Sequence, residues 1–421
     1  YEDGLTIDHG AYVAKYAPNI LNVFKTMPDV YTDLIGADGK LYAAASYVYL
    51  GVESVKGMFY RRDWQKNLGL EDPVTLEDYY NLFYAFAHND PNGNGQNDEV
   101  ALAVKKDYNI LSEFAPLATS FGLSLHADNG LQIDANGKVT YDFVKPEFKE
   151  FLQYLKRYYD AGILPAEVLA QDDSVQKALL ADNRLGAYFN GVGQCDTYDK
   201  ILLQAGFIDE ITADKGFDLL VPPSAADGIS YWPPISYLQG SYRLVISSSC
   251  KNPELAMKWI DYVWGSDAGA MYTTMGIEGK TYEMDENGKP KFTDYILNNP
   301  DGIGVHPALR TVGCFAPYIA RWTGDAWTAQ WVTNPKAYRQ IQMATSIAMN
   351  KPFPQMLGTP DQVGRIASIK SDMETYRDEM ILKFIMGQEN LDQFDAYVNM
   401  LNQMGLQEML SIYQQQYDAL K

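Results

Sequence analysis

Apolar residues recur along this chain with two distinct spacings. Leu76, Tyr79, Phe83 and Phe86 return every three to four positions, the repeat of one helix face, and Thr75 with Asp78 forms a capping box, so an amphipathic helix is predicted as far as Asn89. The short apolar runs at Leu41–Ala45, Met58–Tyr60, Gly186–Asn190, Phe217–Val221 and Arg243–Ser249 have strand length instead. Asn252-Pro253-Glu254 opens another helix with a cap residue, proline in the first turn and an early acid. Leu255, Trp259 and Tyr262 are expected on one face of that helix, with Trp259 in the core, and Gly265 closes it. Further helices are predicted around Ile110–Gly122, over Lys145–Ala161 and through most of the chain after Pro335, with turns at Asp134–Gly137 and Asp285–Gly288. Helices alternating with strands predict α/β lobes rather than a sandwich or a bundle.

A chain of 421 residues exceeds what one hydrophobic core organises, so two lobes are expected. Without repeats or low-complexity linkers, short crossing segments should join them. No window reaches eighteen consecutive apolar residues, and Tyr1-Glu2-Asp3 is unlike the start of a signal peptide. The net charge of −20 disfavours nucleic acid and anionic membrane surfaces as partners. Cys195, Cys250 and Cys314 form no CxxC pair, so a zinc cluster has no support and one disulfide stays open. The four histidines are too scattered for a metal or acid–base centre, and GxSxG, HExxH, P-loop and dinucleotide motifs are lacking. A glycoside hydrolase would need only paired carboxylates and aromatics, so it stands as a competing reading. Aromatic residues make up 13% of the chain, and tyrosine and tryptophan suit the C–H faces and hydroxyl edges of sugars, although most aromatics serve as core.

The sharpest local signal is Asp90-Pro-Asn92-Gly-Asn94-Gly95-Gln96-Asn-Asp98-Glu99. Counting from Asp90, oxygen side chains fall at positions one, three and five, a glycine at six for the sharp turn, and the Gln96 carbonyl at seven. Calcium takes six to eight oxygens, and this spacing wraps them around one point. The register departs from an EF-hand at position twelve, which is Ala101, while Asp98 and Glu99 supply acids at nine and ten. Asn and Gly also favour empty turns, so a turn without a metal is the alternative. A calcium ion here would be structural, since one short loop supplies every ligand and leaves no open position for catalysis.

Met58-Phe-Tyr-Arg-Arg-Asp-Trp64, the helix after it and Asn89–Glu99 resemble the family 1 extracellular solute-binding proteins of bacterial ABC importers, nearest to lipoprotein-type members that include alginate-oligosaccharide receptors. Gly276–Tyr282, Lys383–Gly387 and Leu391–Val398 extend the resemblance nearly end to end. It implies the type II periplasmic-binding fold, two α/β lobes closing by a hinge. The expected division is residues 1–103 plus 242–314 for a first lobe carrying the calcium loop, and 104–241 plus 315–421 for the second. The resemblance assigns a Ca2+ ion to Asp90, Asn92, Asn94, the Gln96 carbonyl, Asp98 and Glu99. It also implies export, a lipid anchor on an N-terminal segment that this sequence lacks, and a monomer that delivers its solute to a membrane permease.

Ligands of this fold sit between the lobes, at the ends of strands. Tyr47, Tyr49, Tyr60, Arg61, Tyr188, Asn190, Trp232, Tyr237, Glu278, Arg321, Trp322 and Trp327 are the candidate contacts, and Arg310 and Arg321 could grip a carboxylate or phosphate. Core packing for the aromatics and salt bridges for the arginines are the competing roles. The expected function is capture of an oligosaccharide without chemistry, with a peptide or other polar solute as the alternative.

Overall fold

The structure is a computed structural model. It describes the chain apart from residues 1–2, 37, 51–55, 106–108, 127, 165–172, 192–194, 234–237, 300–304, 314–320, 324, 327–328, 330–333, 350, 355, 357 and 421. Two three-stranded sheets organise it. In one, β1 (Ala45–Leu50) pairs antiparallel with β5 (Leu238–Leu244) and parallel with β6 (Arg321–Thr323). In the other, β2 (Lys56–Arg61) lies between β3 (Ala187–Gly191) and β4 (Phe217–Leu220), antiparallel to both.

Both faces of the β2 sheet are covered. Met58 and Tyr60 join one core with the helices Leu76–His88, Pro146–Asp160 and Pro360–Ile385, whereas Phe59, between them in sequence, joins a second core with Leu179, Tyr198, Trp232 and Ile341. That is the alternation of a strand, with apolar residues on both sides because helices cover both sides. The predicted helix runs from Leu76 to His88, and its capping box is present: Asp78 N–H donates to Thr75 Oγ1 at 3.2 Å and Thr75 N–H to Asp78 Oδ2 at 2.8 Å. It buries Phe83 and Phe86 completely, each worth about 1.5–3 kcal/mol.

A third core joins the helices Gly10–Tyr16, Pro18–Thr26, Pro28–Leu34 and Pro253–Ile260, and a fourth packs the hairpin of Tyr282–Met284 and Pro290–Phe292. Buried residues between 58 and 104 share their core with residues between 110 and 164 and between 366 and 409. The Asp90–Glu99 loop therefore belongs with the β2 sheet. Two local expectations also differ. Residues 112–121 form three short consecutive turns in place of one long helix, a 3-10 turn, an α-helical turn with Pro116 near its start and a second 3-10 turn. Leu255, Trp259 and Tyr262 are 62, 53 and 56% exposed, because the helix buries Met257 and Ile260. A π-turn over Asp261–Gly265 then turns Trp264 inward, and Asp261 accepts hydrogen bonds from Asn19 Nδ2 at 2.7 Å and Ile20 N–H at 2.9 Å.

Candidate functional site

The helix Leu76–His88 ends on Asn89, and the chain turns sharply at Asp90 (φ 45°), Gly93 (φ 71°) and Gly95 (φ 84°), left-handed conformations that glycine adopts without strain. Asp90 organises the rest of the loop. Its Oδ1 accepts Asn94 N–H at 3.0 Å and its Oδ2 accepts Gly95 N–H at 2.9 Å. Asn92 Oδ1 also accepts Asn94 N–H, at 2.9 Å, and Asn94 Oδ1 accepts Gln96 N–H at 2.7 Å. The side-chain oxygens of positions one, three and five thus bend back over the loop, each with a lone pair to spare.

Neighbouring segments fix the loop in place. Val100 N–H donates to Arg184 O at 2.8 Å, Gly186 N–H to Val100 O at 2.9 Å and Ala103 N–H to Ala187 O at 2.9 Å, which ties the outgoing strand to β3. Asn92 Nδ2 donates to Asn183 O at 3.1 Å, and Arg184 Nε contacts both Asp98 O at 2.7 Å and Asp98 Oδ2 at 2.9 Å. Sequence reasoning missed Asn183 and Arg184. The Asp182-Asn183 pair after the helix Asp173–Ala181 marks a turn, and Asn183 has φ 57°, but nothing local says that the turn faces residue 98.

Glu99 is the unusual member. It is 8% exposed, and both carboxylate oxygens are buried with no hydrogen-bond partner of sound geometry among the described residues. Burial raises its pKa, with further upward pressure from the Asp90 and Asp98 charges; the N–H groups of Glu99 itself and Asn92 offset only part of this. A buried carboxylate without a partner is costly unless something positive meets it. Of the three loop acids, only Asp98 has a cationic partner among the described residues. No three His, Cys, Asp or Glu side chains are grouped as a metal cluster among the described residues. The loop offers instead amide oxygens, a carbonyl and acids, the all-oxygen set that suits calcium rather than zinc or iron.

The twelve predicted ligand contacts are placed unequally. The β1–β6 register sets Tyr49 beside Trp322, with Tyr47 two positions earlier on β1. Asn190 is half-buried on β3, opposite Gly57, and Glu278 is exposed before the hairpin. Tyr237 and Trp327 lie outside the described residues. The other five are interior. Tyr60 is buried, with Arg62 Nη1 donating to its hydroxyl at 2.5 Å, and its pKa is pushed up to about 12 by burial. Arg61 donates to both Asp63 oxygens at 2.8 and 2.6 Å and to Asn183 Oδ1 at 2.7 Å. Tyr188 stacks between Phe59 at 5.3 Å and Tyr198 at 4.3 Å. Trp232 is fully buried and donates to Ala344 O at 2.8 Å. Arg321 is 7% exposed and donates to Trp264 O at 3.1 Å and Gly265 O at 3.3 Å, and it pairs with Asp267. Arg321, one of the two guanidinium groups predicted to grip an anion, is thus engaged inside the protein, and Arg61 is engaged in the same way.

Comparison with known proteins places this architecture. The crystal structure of the alginate-binding protein AlgQ2 without calcium ion superposes with a TM-score of 0.74 at 25% identity, over 99% of this chain and 82% of that one. The fructooligosaccharide ABC transporter substrate-binding protein FusA of Streptococcus pneumoniae is 24% identical over 434 residues, covering 99% of this chain and 76% of the relative. A structure of an EF-hand mutant of FusA in complex with fructo-nystose shares the fold, with a TM-score of 0.69 at 21% identity over 99% of this chain and 84% of that one. The two-lobed solute-binding fold is therefore the architecture here. The profile of the bacterial extracellular solute-binding proteins matches residues 1–291, more than half of the sequence. This chain belongs to that family, and it is a binding protein rather than an enzyme.

Proposed function

We propose that this protein captures a neutral oligosaccharide between its lobes on the outer face of the cell membrane and delivers it to an ABC-importer permease. The similarity to FusA along 99% of the chain carries the reading, because it spans both sheets and the loop together. Two features favour a neutral sugar over an anionic one. The net charge of −20 repels anions at long range, and Arg61 and Arg321 are engaged with Asp63, Asn183, Asp267 and backbone carbonyls. Tyr47, Tyr49, Asn190, Glu278 and Trp322, with Tyr237 and Trp327, are the contacts to test first, as aromatic platforms and polar anchors. We further propose a monomer held to the membrane by a lipid.

The Asp90–Glu99 loop is proposed to hold one calcium ion through Asp90, Asn92, Asn94, the Gln96 carbonyl, Asp98 and Glu99. The buried, unpartnered Glu99 carboxylate supports this assignment over an empty turn. When bound, the ion would supply positive charge to the loop acids. The chain's own groups do the rest: Arg184 holds Asp98, Asn183 holds Asn92, and Val100 and Gly186 fix the loop to β3.

A thermal-shift screen tests the solute. A ligand that binds only the folded state raises its melting temperature by mass action. Neutral fructo-, gluco- and manno-oligosaccharides, oligogalacturonates and oligopeptides should be compared. A shift with a neutral oligosaccharide is expected; a shift with peptides alone, or with oligogalacturonates alone, would overturn the reading.

A further inference from the structure

The sequence contains six Asn–Gly pairs, the dipeptide in which a backbone nitrogen uncrowded by a side chain can attack the preceding asparagine amide. In five of them the glycine N–H is committed to another residue. Gly93 donates to Asp90 O at 3.1 Å, Gly95 to Asp90 Oδ2 at 2.9 Å, Gly130 to Ser124 O at 2.8 Å, Gly137 to Asp134 O at 2.9 Å and Gly288 to Asp285 O at 3.0 Å. The sixth differs: Gly191 N–H donates to Oδ1 of Asn190, the asparagine it would attack, at 2.8 Å.

Strand pairing explains the difference. Arg61 N–H donates to Gly186 O at 2.8 Å, and stepping in twos along the antiparallel register makes Gly57–Asn190 a hydrogen-bonded pair and Lys56–Gly191 a non-bonded one. The Gly191 N–H at the end of β3 therefore points away from β2, and the Asn190 side chain folds back to meet it. Both residues are partly exposed, so water and hydroxide reach them. A Cβ on Gly191 would meet nothing within 4 Å, so no neighbour crowds the nitrogen. The amide that would leave is also unheld: Asn190 Nδ2 donates to no group among the described residues, whereas Asn92, Asn94 and Asn129 give theirs to Asn183 O, Asp98 and Glu374.

We propose that Asn190–Gly191 is a site of spontaneous covalent modification, at which the asparagine converts to aspartate and isoaspartate. Hydroxide removes the Gly191 N–H proton, and the lone pair left behind points where the hydrogen did, at the side-chain carbonyl. The carbon to be attacked is one bond beyond the oxygen that accepts the hydrogen bond, so the reacting atoms start in position. The nitrogen bonds to Cγ, the Cγ–Nδ2 bond breaks, and Nδ2 takes a proton from water and leaves as ammonia. A second water opens the resulting cyclic imide, at Cγ to give aspartate or at the Asn190 backbone carbonyl to give isoaspartate. In the other five pairs the nitrogen must first leave a different acceptor and then turn to the amide. The product places a carboxylate where a neutral amide stands, on a residue proposed to touch the solute; the modification itself does not depend on that reading.

Whole protein incubated in mildly alkaline, 18O-enriched water and then digested with pepsin in acid gives the conversion at each of the six pairs by mass spectrometry. Asn190 should convert roughly fivefold faster than any other pair, the rate equivalent of one ordinary hydrogen bond. In urea, where the fold no longer places the glycine nitrogens, that lead should vanish. Gly191→Val crowds the nitrogen and should slow Asn190 about tenfold or more while Asn136 and Asn287 keep their rates, with a melting temperature showing that the variant is folded. Asn136 or Asn287 converting first in the native protein, an Asn190 that stays an amide, a lead that persists in urea, or an unchanged Asn190 rate in folded Gly191→Val protein would overturn the assignment.

Discussion

Replacing Glu99 by glutamine keeps the shape of the side chain and removes its charge, so it separates a calcium loop from an empty turn. Without metal, the wild-type protein holds a carboxylate whose two oxygens are buried and lack partners among the described residues, beside the charges of Asp90 and Asp98. Leaving such a group unsatisfied costs about 1–3 kcal/mol, and the neutral amide relieves the charge part of that cost. In a chelator the Glu99→Gln protein should therefore melt at the wild-type temperature or above it. With calcium at a hundred times its Kd the wild-type protein gains about 2.7 kcal/mol, or roughly 5–10 °C for a lobe of about 150–250 residues. A variant site that binds about a hundredfold more weakly retains only about 0.4 kcal/mol at the same calcium concentration. Differential scanning calorimetry with and without calcium gives all four numbers. The two proteins should cross over: the variant at least as stable in chelator, the wild type clearly more stable in calcium. A wild-type melting temperature that ignores calcium, or an equal rise in both proteins, would refute the reasoning.

Particular contacts elsewhere in the chain give further expectations. Asp128 has its pKa raised from 3.8 to about 7 by burial, against the pull of Phe353 N–H and the Ser124 hydroxyl, so the folded state binds the extra proton. Its contribution to stability is full below pH 3.8 and is lost as pH rises towards about 7, and Asp128→Asn should flatten that slope and raise the melting temperature at pH 8. Gly186→Ala would put a methyl 2.8 Å from Ala101 O and 3.0 Å from the Phe86 ring, and urea unfolding should show a loss of about 1–3 kcal/mol. Trp259→Ser should stay within about 0.5 kcal/mol of wild type in the same assay, while Trp264→Ala should lose about 3–5 kcal/mol. Equal costs for the two tryptophans would contradict the burial assigned to that helix.

The features legible in the sequence were the local ones. Thr75 and Asp78 state the start of a helix in their own side chains, and so does Asn252, whose Oδ1 accepts Leu255 N–H at 3.1 Å. The spacing of Asp90, Asn92 and Asn94 describes the loop by itself. What failed depended on distant partners. Leu255, Trp259 and Tyr262 form a stripe as regular as that of Met257, Ile260 and Trp264, and only packing in the third core decides which of the two faces inward. Tyr188 and Trp232 look like binding-site aromatics, yet the β2 sheet is covered on both faces, so alternation along its strands cannot separate core from rim. The core that residues 58–104 join was hidden for the same reason. Phe83 shares it with Ile381 and Phe384, about three hundred residues further along the chain, and no local pattern records that shared core.

The central claim is that this chain binds an oligosaccharide and releases it unchanged. Calorimetric titration of ligand-stripped protein with the best hit of the screen, together with mass spectrometry of the recovered ligand, tests it most directly. The account predicts one neutral oligosaccharide bound per chain, weakened by Trp322→Ala, and recovered intact. Heat with peptides but with no oligosaccharide, or recovery of a cleaved sugar, would contradict it.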